Sequence, residues 1–209
     1  MKPKPTITWL LVILISSNSM AQQKDAAKEK RKLTHISIAF TNSHTAVPFG
    51  SFSKLVAGNY HPGIELSTGF NWKTKKKHTW HQTFNAGYSY HRWVQHSIVL
   101  YTEFGYRHQL PAGFSAEAKM GGGYMRAIVA TDVFSDGVED GEQYGKISSG
   151  RSQAIVSLGF NLSKEFKKLC GTSFFLEYQQ RIQTPFIQSY VPLLPYNIMK
   201  AGVKIPFKR

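Results

Sequence analysis

The stretch "PGIELSTGFNWK", Pro62 to Lys73, decides how the rest of the chain is read. Every second residue from Ile64 gives Ile64, Leu66, Thr68, Phe70 and Trp72, and the alternate set gives Glu65, Ser67, Gly69, Asn71 and Lys73. A period of two with unlike faces is the mark of a strand. Direction is the open choice. In a soluble sheet the greasy face packs on a core. In a membrane barrel it meets lipid, and the polar face fills the lumen.

The same alternation recurs at Thr34–Thr41, Thr79–Trp93, Ser97–Gln109, Gly113–Met125, Arg151–Ser163, Thr172–Gln183 and Asn197–Phe207, so eight strands are predicted. Most exceed the usual five or six residues of soluble sheets and fit the roughly 9 to 11 that a tilted membrane strand needs. The connections alternate as well. Residues 74–78, 110–112 and 164–171 are short, while 42–61, 128–150 and 184–196 are long, with Val94–His96 the exception. Short turns at one rim and long loops at the other are expected of membrane barrels, and an even strand count brings both chain ends to one side, the periplasmic one.

Charge settles the direction. Glu65, Glu103, Glu117 and Glu177 share the polar face with Arg107, Lys119, Arg181, Lys200 and Lys204. An Arg or Lys facing lipid near the midplane costs about 2–4 kcal/mol, so this face is predicted to turn inward and its ions to pair. The hairpin around Pro111 sets Glu103 near Lys119 and Arg107 near Glu117. Gly69, Gly87, Gly105, Gly121 and Gly202 lie on the same face and leave room for long side chains in a narrow lumen. Trp72, Trp80, Tyr106, Phe114 and Phe207 gather toward one end of the greasy face, and Phe40, Tyr90 and Tyr124 toward the other, as two interfacial girdles would. The expected fold is all-β: an eight-stranded antiparallel up-and-down transmembrane β-barrel with an N-terminal signal peptide. The alternative is a soluble lipocalin-like barrel whose greasy face lines a ligand pocket.

The start of the chain supplies the signal. Lys2 and Lys4 precede the apolar run "WLLVILI", Trp9 to Ile15, and Ser19-Met20-Ala21 offers a cleavage site. Residues 1–21 are therefore read as a signal peptide, 22–33 as a flexible charged lead and 34–209 as the barrel. No Cys lies near the cleavage site, so a lipoprotein signal is not expected. No later run reaches the length of about 18 apolar residues that a membrane helix needs. The net charge of +14 would suit nucleic acid, but export argues against that partner. The basic excess is read instead as facing anionic headgroups or sugar phosphates. The single cysteine, Cys170, cannot form an internal disulfide.

The chain closes on "KAGVKIPFKR". Lys200, Gly202, Ile205 and Phe207 fit the polar-x-Gly-x-x-apolar-x-aromatic pattern of the last strand of outer-membrane proteins, with Lys208-Arg209 as a departure after the aromatic. From Thr34 to Arg209 the chain resembles the small eight-stranded outer-membrane barrels of the OmpA/OmpX type. "HPGIELSTGFNW" and "TPFIQSYVPLLPYN" are similar to barrels of Bacteroidota. The resemblance implies a Gram-negative outer membrane, with outer-membrane lipid and lipopolysaccharide as surroundings. It also implies insertion by the barrel-assembly machinery, which would read Gly202, Ile205 and Phe207. The chain stops at the last strand, so no peptidoglycan-binding domain is expected.

Several candidate sites follow. Glu65, Glu103, Arg107, Glu117, Lys119, Glu177, Arg181 and Lys200 form either an ion-pair network that plugs the lumen or a narrow ion path. Gln179 is read as a lumen position that tolerates change. "TDVFSDGVEDGEQYG" offers Asp132, Asp136, Glu139, Asp140 and Glu142 as hard oxygen ligands, but their spacing misses a calcium loop, and no metal or cofactor is expected. Phe186, Ile187, Tyr190, Val191, Leu193 and Leu194 are too greasy for a freely solvated loop. They either fold over the barrel mouth against Val47, Pro48 and Phe49 or dock on a neighbouring envelope protein.

Some barrels of this type are lipid A acyl hydrolases or palmitoyl transferases, and the hydrolases carry a His-x-Ser-Asn motif. "TNSHTAVP" holds those residue types in another order, and Ser89, His91 and Glu103 share the polar face as a conceivable triad. The reading is a non-enzymatic barrel with a structural or binding role through its outer loops. A lipid A-modifying enzyme and a narrow pore are the alternatives.

Overall fold

The computed structural model describes residues 32–46, 50, 55, 58, 60–91, 95–129, 150–185 and 193–207. The predicted signal peptide, nearly all of the charged lead, the acidic segment, Phe186, Ile187, Tyr190 and Val191 lie outside these residues. Eight strands follow one another: β1 (His35–Thr45), β2 (Pro62–Lys75), β3 (His78–His91), β4 (Gln95–Gln109), β5 (Phe114–Val129), β6 (Arg151–Phe166), β7 (Thr172–Thr184) and β8 (Leu194–Pro206). Each pairs antiparallel with the next, and β1 also pairs with β8, from His35 opposite Pro206 to Thr45 opposite Tyr196. The sheet is a closed barrel without a free edge. The strands run longer than alternation alone marks. β6 continues to Phe166, and β8 begins at Leu194, so Leu194 is a ladder residue opposite Gln183 rather than part of a loop. β3 is described as far as His91, and the predicted end at Trp93 lies outside the described residues.

The barrel is inside-out relative to a soluble protein. Along β6 the residues from Gln153 to Ser163 alternate strictly, odd numbers buried and even numbers exposed. The exposed set is Ala154, Val156, Leu158, Phe160 and Leu162. Around the wall Leu66, Phe84, Leu100, Met120, Leu158 and Leu176 are 40–64% exposed, while Glu103, Glu177 and Lys200 are 1% exposed. Contiguous apolar surface on this scale does not face water in monomeric soluble proteins, and a wall of this kind is matched to hydrocarbon. The lipocalin-like alternative is excluded, because the greasy face lies outside and the lumen holds the charges.

One rim, called here the chain-end rim, carries the start of β1, the end of β8 and the turns β2–β3, β4–β5 and β6–β7. The longer connections leave from the far rim. Near the chain-end rim Trp80 stacks on Phe104 at 5.3 Å and lies 4.9 Å from Tyr106, while Phe166 meets Phe174 edge-on at 5.6 Å. Toward the far rim Tyr88 and Tyr90 flank His96, and Tyr124 bonds Ser152. These two belts suit a headgroup level at each end.

A bulge breaks the alternation once. Asn71 lies opposite His81, but Lys73 lies opposite Trp80, which leaves Trp72 as the extra residue. One added residue inverts the period-two pattern beyond it. Lys73 and Lys75 therefore lie across from the outward Trp80 and from His78, and both are exposed. This corrects the assignment of Lys73 to the inward face, which continued the alternation through Trp72.

Leu158→Arg places a cation on the lipid wall, at a cost of about 2–4 kcal/mol near the midplane. Its folded fraction in phospholipid vesicles, read as the heat-modifiable band on a gel, is expected to collapse, while Leu158→Phe folds like the parent.

Candidate functional site

The lumen is built in layers. Nearest the chain-end rim, Glu117 Oε1 accepts from Arg107 Nε at 2.5 Å and from Lys204 Nζ at 3.0 Å, and Oε2 lies 3.6 Å from His81 Nε2. In the next layer Lys119 donates to Glu177 and stands 3.6 Å from Glu103. Ser157 Oγ and Gln179 Nε2 both donate to Glu103 Oε1, at 2.8 and 2.7 Å, and Asn161 donates to Glu177. Lys200 joins this layer to the following one. Its Nζ donates to Glu65 Oε1 at 2.6 Å and to Tyr101 Oη at 2.7 Å, and lies 3.1 Å from Glu177 Oε1. Tyr101 donates to Glu65 Oε2, and the Arg181 guanidinium lies over the Tyr101 ring at 4.8 Å. Beyond this, toward the far rim, Val99, Met125, Ala127 and Ile155 form an apolar layer.

Glycine makes this possible. Across the ladder Gly87 faces Glu65, Gly121 faces Glu103, and Gly105 and Gly159 flank Lys119. A Cβ on Gly105 would sit 2.6 Å from His81 Nε2 and 2.8 Å from Lys119 Cγ, so a larger residue there displaces the network. Two cavities of about 20 Å³ each lie on either side of Glu65. Each has room for roughly one water molecule.

Glu65, Glu103, Arg107, Glu117, Lys119, Glu177, Arg181 and Lys200 all lie in these layers, and the hairpin pairs Glu103 with Lys119 and Arg107 with Glu117. Sequence reasoning passed over Tyr101, His81 and the apolar layer. The signal was there: Tyr101 and Val99 stand two and four residues before Glu103, on the same face. Gln179 is fully buried and bonded to Glu103, Tyr101 and Arg181, so it is not a tolerant position. Ser89 and Glu103 do not meet. Ser89 Oγ is 2.6 Å from Ser97 Oγ, and Glu103 faces Thr83, six residues away along β3 and thus about 20 Å off. The His91 side chain lies outside the described residues. Among the described residues no group of His, Cys, Asp and Glu is placed to hold a metal ion.

A second polar feature sits on the outer wall at β7–β8–β1. Asn42, His44, Gln180 and Asn197 occupy outward positions in the ladder, where the sequence pattern calls for apolar residues. Tyr178 Oη and Gln180 Nε2 donate to Asn197 Oδ1 at 3.1 and 3.4 Å. Asn197 Nδ2 donates to the Gly50 carbonyl, Asn42 Nδ2 donates to the Leu55 carbonyl, and the His61 N–H donates to Asn42 Oδ1, each at 2.8 Å. Leu55 is buried. Burial, with the nearby His44 imidazole second, holds His61 below the ordinary imidazole value. Gly50, Leu55 and His61, which follow β1, are thus held against the outside of the wall. Of the apolar connection before β8, Leu193 is exposed and Leu194 belongs to the strand.

No family model matches the chain, and no curated protein matches it. Solved structures that are similar include Neisserial surface protein A, at 11% identity and a TM-score of 0.49, over 84% of this chain and 96% of that one. The outer membrane enzyme PagL is similar at 14% identity and a TM-score of 0.46, over 83% and 99%. Ail, the attachment invasion locus protein of Yersinia pestis, is similar at 13% identity and a TM-score of 0.45, over 85% and 99%. The ladder and the side-chain placement described above carry the fold.

Lys200→Met leaves Glu65 buried with one cation fewer and is expected to lower stability by about 3–5 kcal/mol. Adding Glu65→Gln to it should recover part of that loss, which urea unfolding of the double-mutant cycle in detergent micelles measures. Asn197→Leu removes the bond to Gly50 and the acceptor of Tyr178 and Gln180. It should lower stability by about 1–3 kcal/mol and speed proteolytic cleavage within residues 46–61.

Proposed function

We propose that this chain is a non-enzymatic outer-membrane barrel with a sealed lumen, acting structurally or by binding through its far-rim connections. One observation carries the reading: three ionic layers backed by the apolar layer of Val99, Met125, Ala127 and Ile155 fill the interior, and the cavities beside Glu65 hold about 20 Å³ each. A conducting path needs a continuous wet route, and small eight-stranded barrels are packed by their own side chains. The distance between Ser89 and Glu103, and the engagement of the Glu103 carboxylate by Ser157, Gln179 and Lys119, weigh for binding over lipid A chemistry. In this reading both chain ends face the periplasm. Ile205 and Phe207, exposed at the end of β8, and Gly202 form the segment that the assembly machinery reads. The far-rim connections, Leu193 among them, face the outside and meet lipopolysaccharide or an envelope protein.

Planar-bilayer recordings of the purified barrel are expected to show no discrete conductance, and lipid A from cells with and without the chain should have the same mass spectrum. Steady single-channel steps would replace this reading with a pore. A lost or added acyl chain would replace it with an enzyme.

A further inference from the structure

The β2–β3 turn breaks two local preferences in one place. The bulge at Trp72 re-aims Lys73 and Lys75 to the outer wall, opposite Trp80 and His78. Bulges that turn side chains outward are built features rather than defects. The two-residue loop is Lys76-Lys77, with Lys76 at φ 40°, in the left-handed region. A left-handed residue at the first loop position favours Gly or Asn, so a lysine is held there against backbone preference. Trp80, the ladder partner of Lys73, belongs to the aromatic belt of this rim. His78 is hydrogen-bonded to Tyr106 Oη, and the His108 imidazole is 3.2 Å away. At the β6–β7 turn, on the opposite side of the same rim, Lys164 Nζ lies over the rings of Phe114 and Phe166 at 4.8 and 5.5 Å. Among the described residues of these two turns, Glu165 is the sole acid.

Trp and Tyr fix the depth at which a barrel meets headgroups. Lysines aimed outward at that depth face phosphates rather than hydrocarbon or free water. We propose that the outer face of the β2–β3 turn, formed by Lys73, Lys75, Lys76 and Lys77 with His78 and Trp80, is a docking surface for the headgroups of anionic phospholipids in the leaflet at the chain-end rim. The inference rests on the reading of the chain as a membrane barrel. It adds a lipid class, a leaflet and a set of ligating side chains.

Trp72 and Trp80 are the natural reporters. In the full chain with Trp9→Phe and Trp93→Phe, their quenching by brominated phosphatidylglycerol is compared with quenching by brominated phosphatidylcholine in mixed vesicles. The anionic lipid is expected to be preferred several-fold, and the preference to fade in 0.5 M sodium chloride. Each lysine removed should lower it, by at most roughly fivefold, the factor corresponding to about 1 kcal/mol per basic residue near an anionic surface. Lys73→Gln with Lys75→Gln is therefore expected to weaken the preference, and removal of all four lysines to bring the two lipids to parity. Lys76→Gly with Lys77→Gln relieves the left-handed position, so this variant should fold at least as well as the parent yet prefer the anionic lipid less.

Equal quenching by the two lipids in the parent overturns the proposal, as does a preference that survives the lysine substitutions. Loss of the preference to sodium phosphate, at an ionic strength where chloride leaves it intact, would mark a free-phosphate site and also overturn it. So would lysine-dependent co-sedimentation with peptidoglycan sacculi in place of a lipid preference. Absence of a heat-modifiable folded band in any vesicle would instead defeat the barrel reading on which the proposal rests.

Discussion

The structure depends on keeping ionised groups away from hydrocarbon. Glu65, Glu103, Glu117 and Glu177 cannot face lipid, and they cannot stand alone in a dry interior. The chain meets both conditions by closing a wall around them and supplying Arg107 from the neighbouring strand and Lys119, Arg181, Lys200 and Lys204 from strands further round the barrel. Lys200, from β8, reaches Glu65 on β2, Tyr101 on β4 and Glu177 on β7. Gly87, Gly105, Gly121 and Gly159 follow from the same condition, since each stands beside a charged chain that needs the space. The outer face has the simpler task of matching oil, which Val, Leu, Ile and Phe perform without specific partners.

Much of this was legible in the chain. Period-two alternation, with every strand carboxylate on one face, gave strand number, direction and inward face, because a membrane wall tolerates few exceptions. The pairing of Arg107 with Glu117 was readable because a short turn pins the register of its hairpin. What escaped notice was of two kinds. Tyr101 and Gln179 lie on the inward face, but their roles come from partners on distant strands, which no local pattern encodes. Lys73 was misplaced because a single extra residue at Trp72 inverts the face, and a bulge has no fixed signature in one sequence.

The outward polar residues show where the two-face rule yields to tertiary structure. Asn42 and Asn197 look like errors in a greasy stripe until Gly50 and Leu55 are placed against them. Buried amides require partners, and here the Leu55 and Gly50 carbonyls, from the connection after β1, provide them. A polar residue in the wrong register of a membrane strand is thus a signal that the chain itself covers that spot.

The way Lys200 and Arg181 reach Glu65 across the closing seam has a consequence for how the molecule can be made. A partly inserted sheet, open along the seam between β1 and β8, holds Glu65 with both of its counter-ions still on the other side of a gap. Such an intermediate would have to keep that carboxyl wet or protonated until the seam joins. Neutralisation and closure are therefore one event, and an insertion route that shelters the growing sheet from lipid until its first and last strands meet is the one this interior demands.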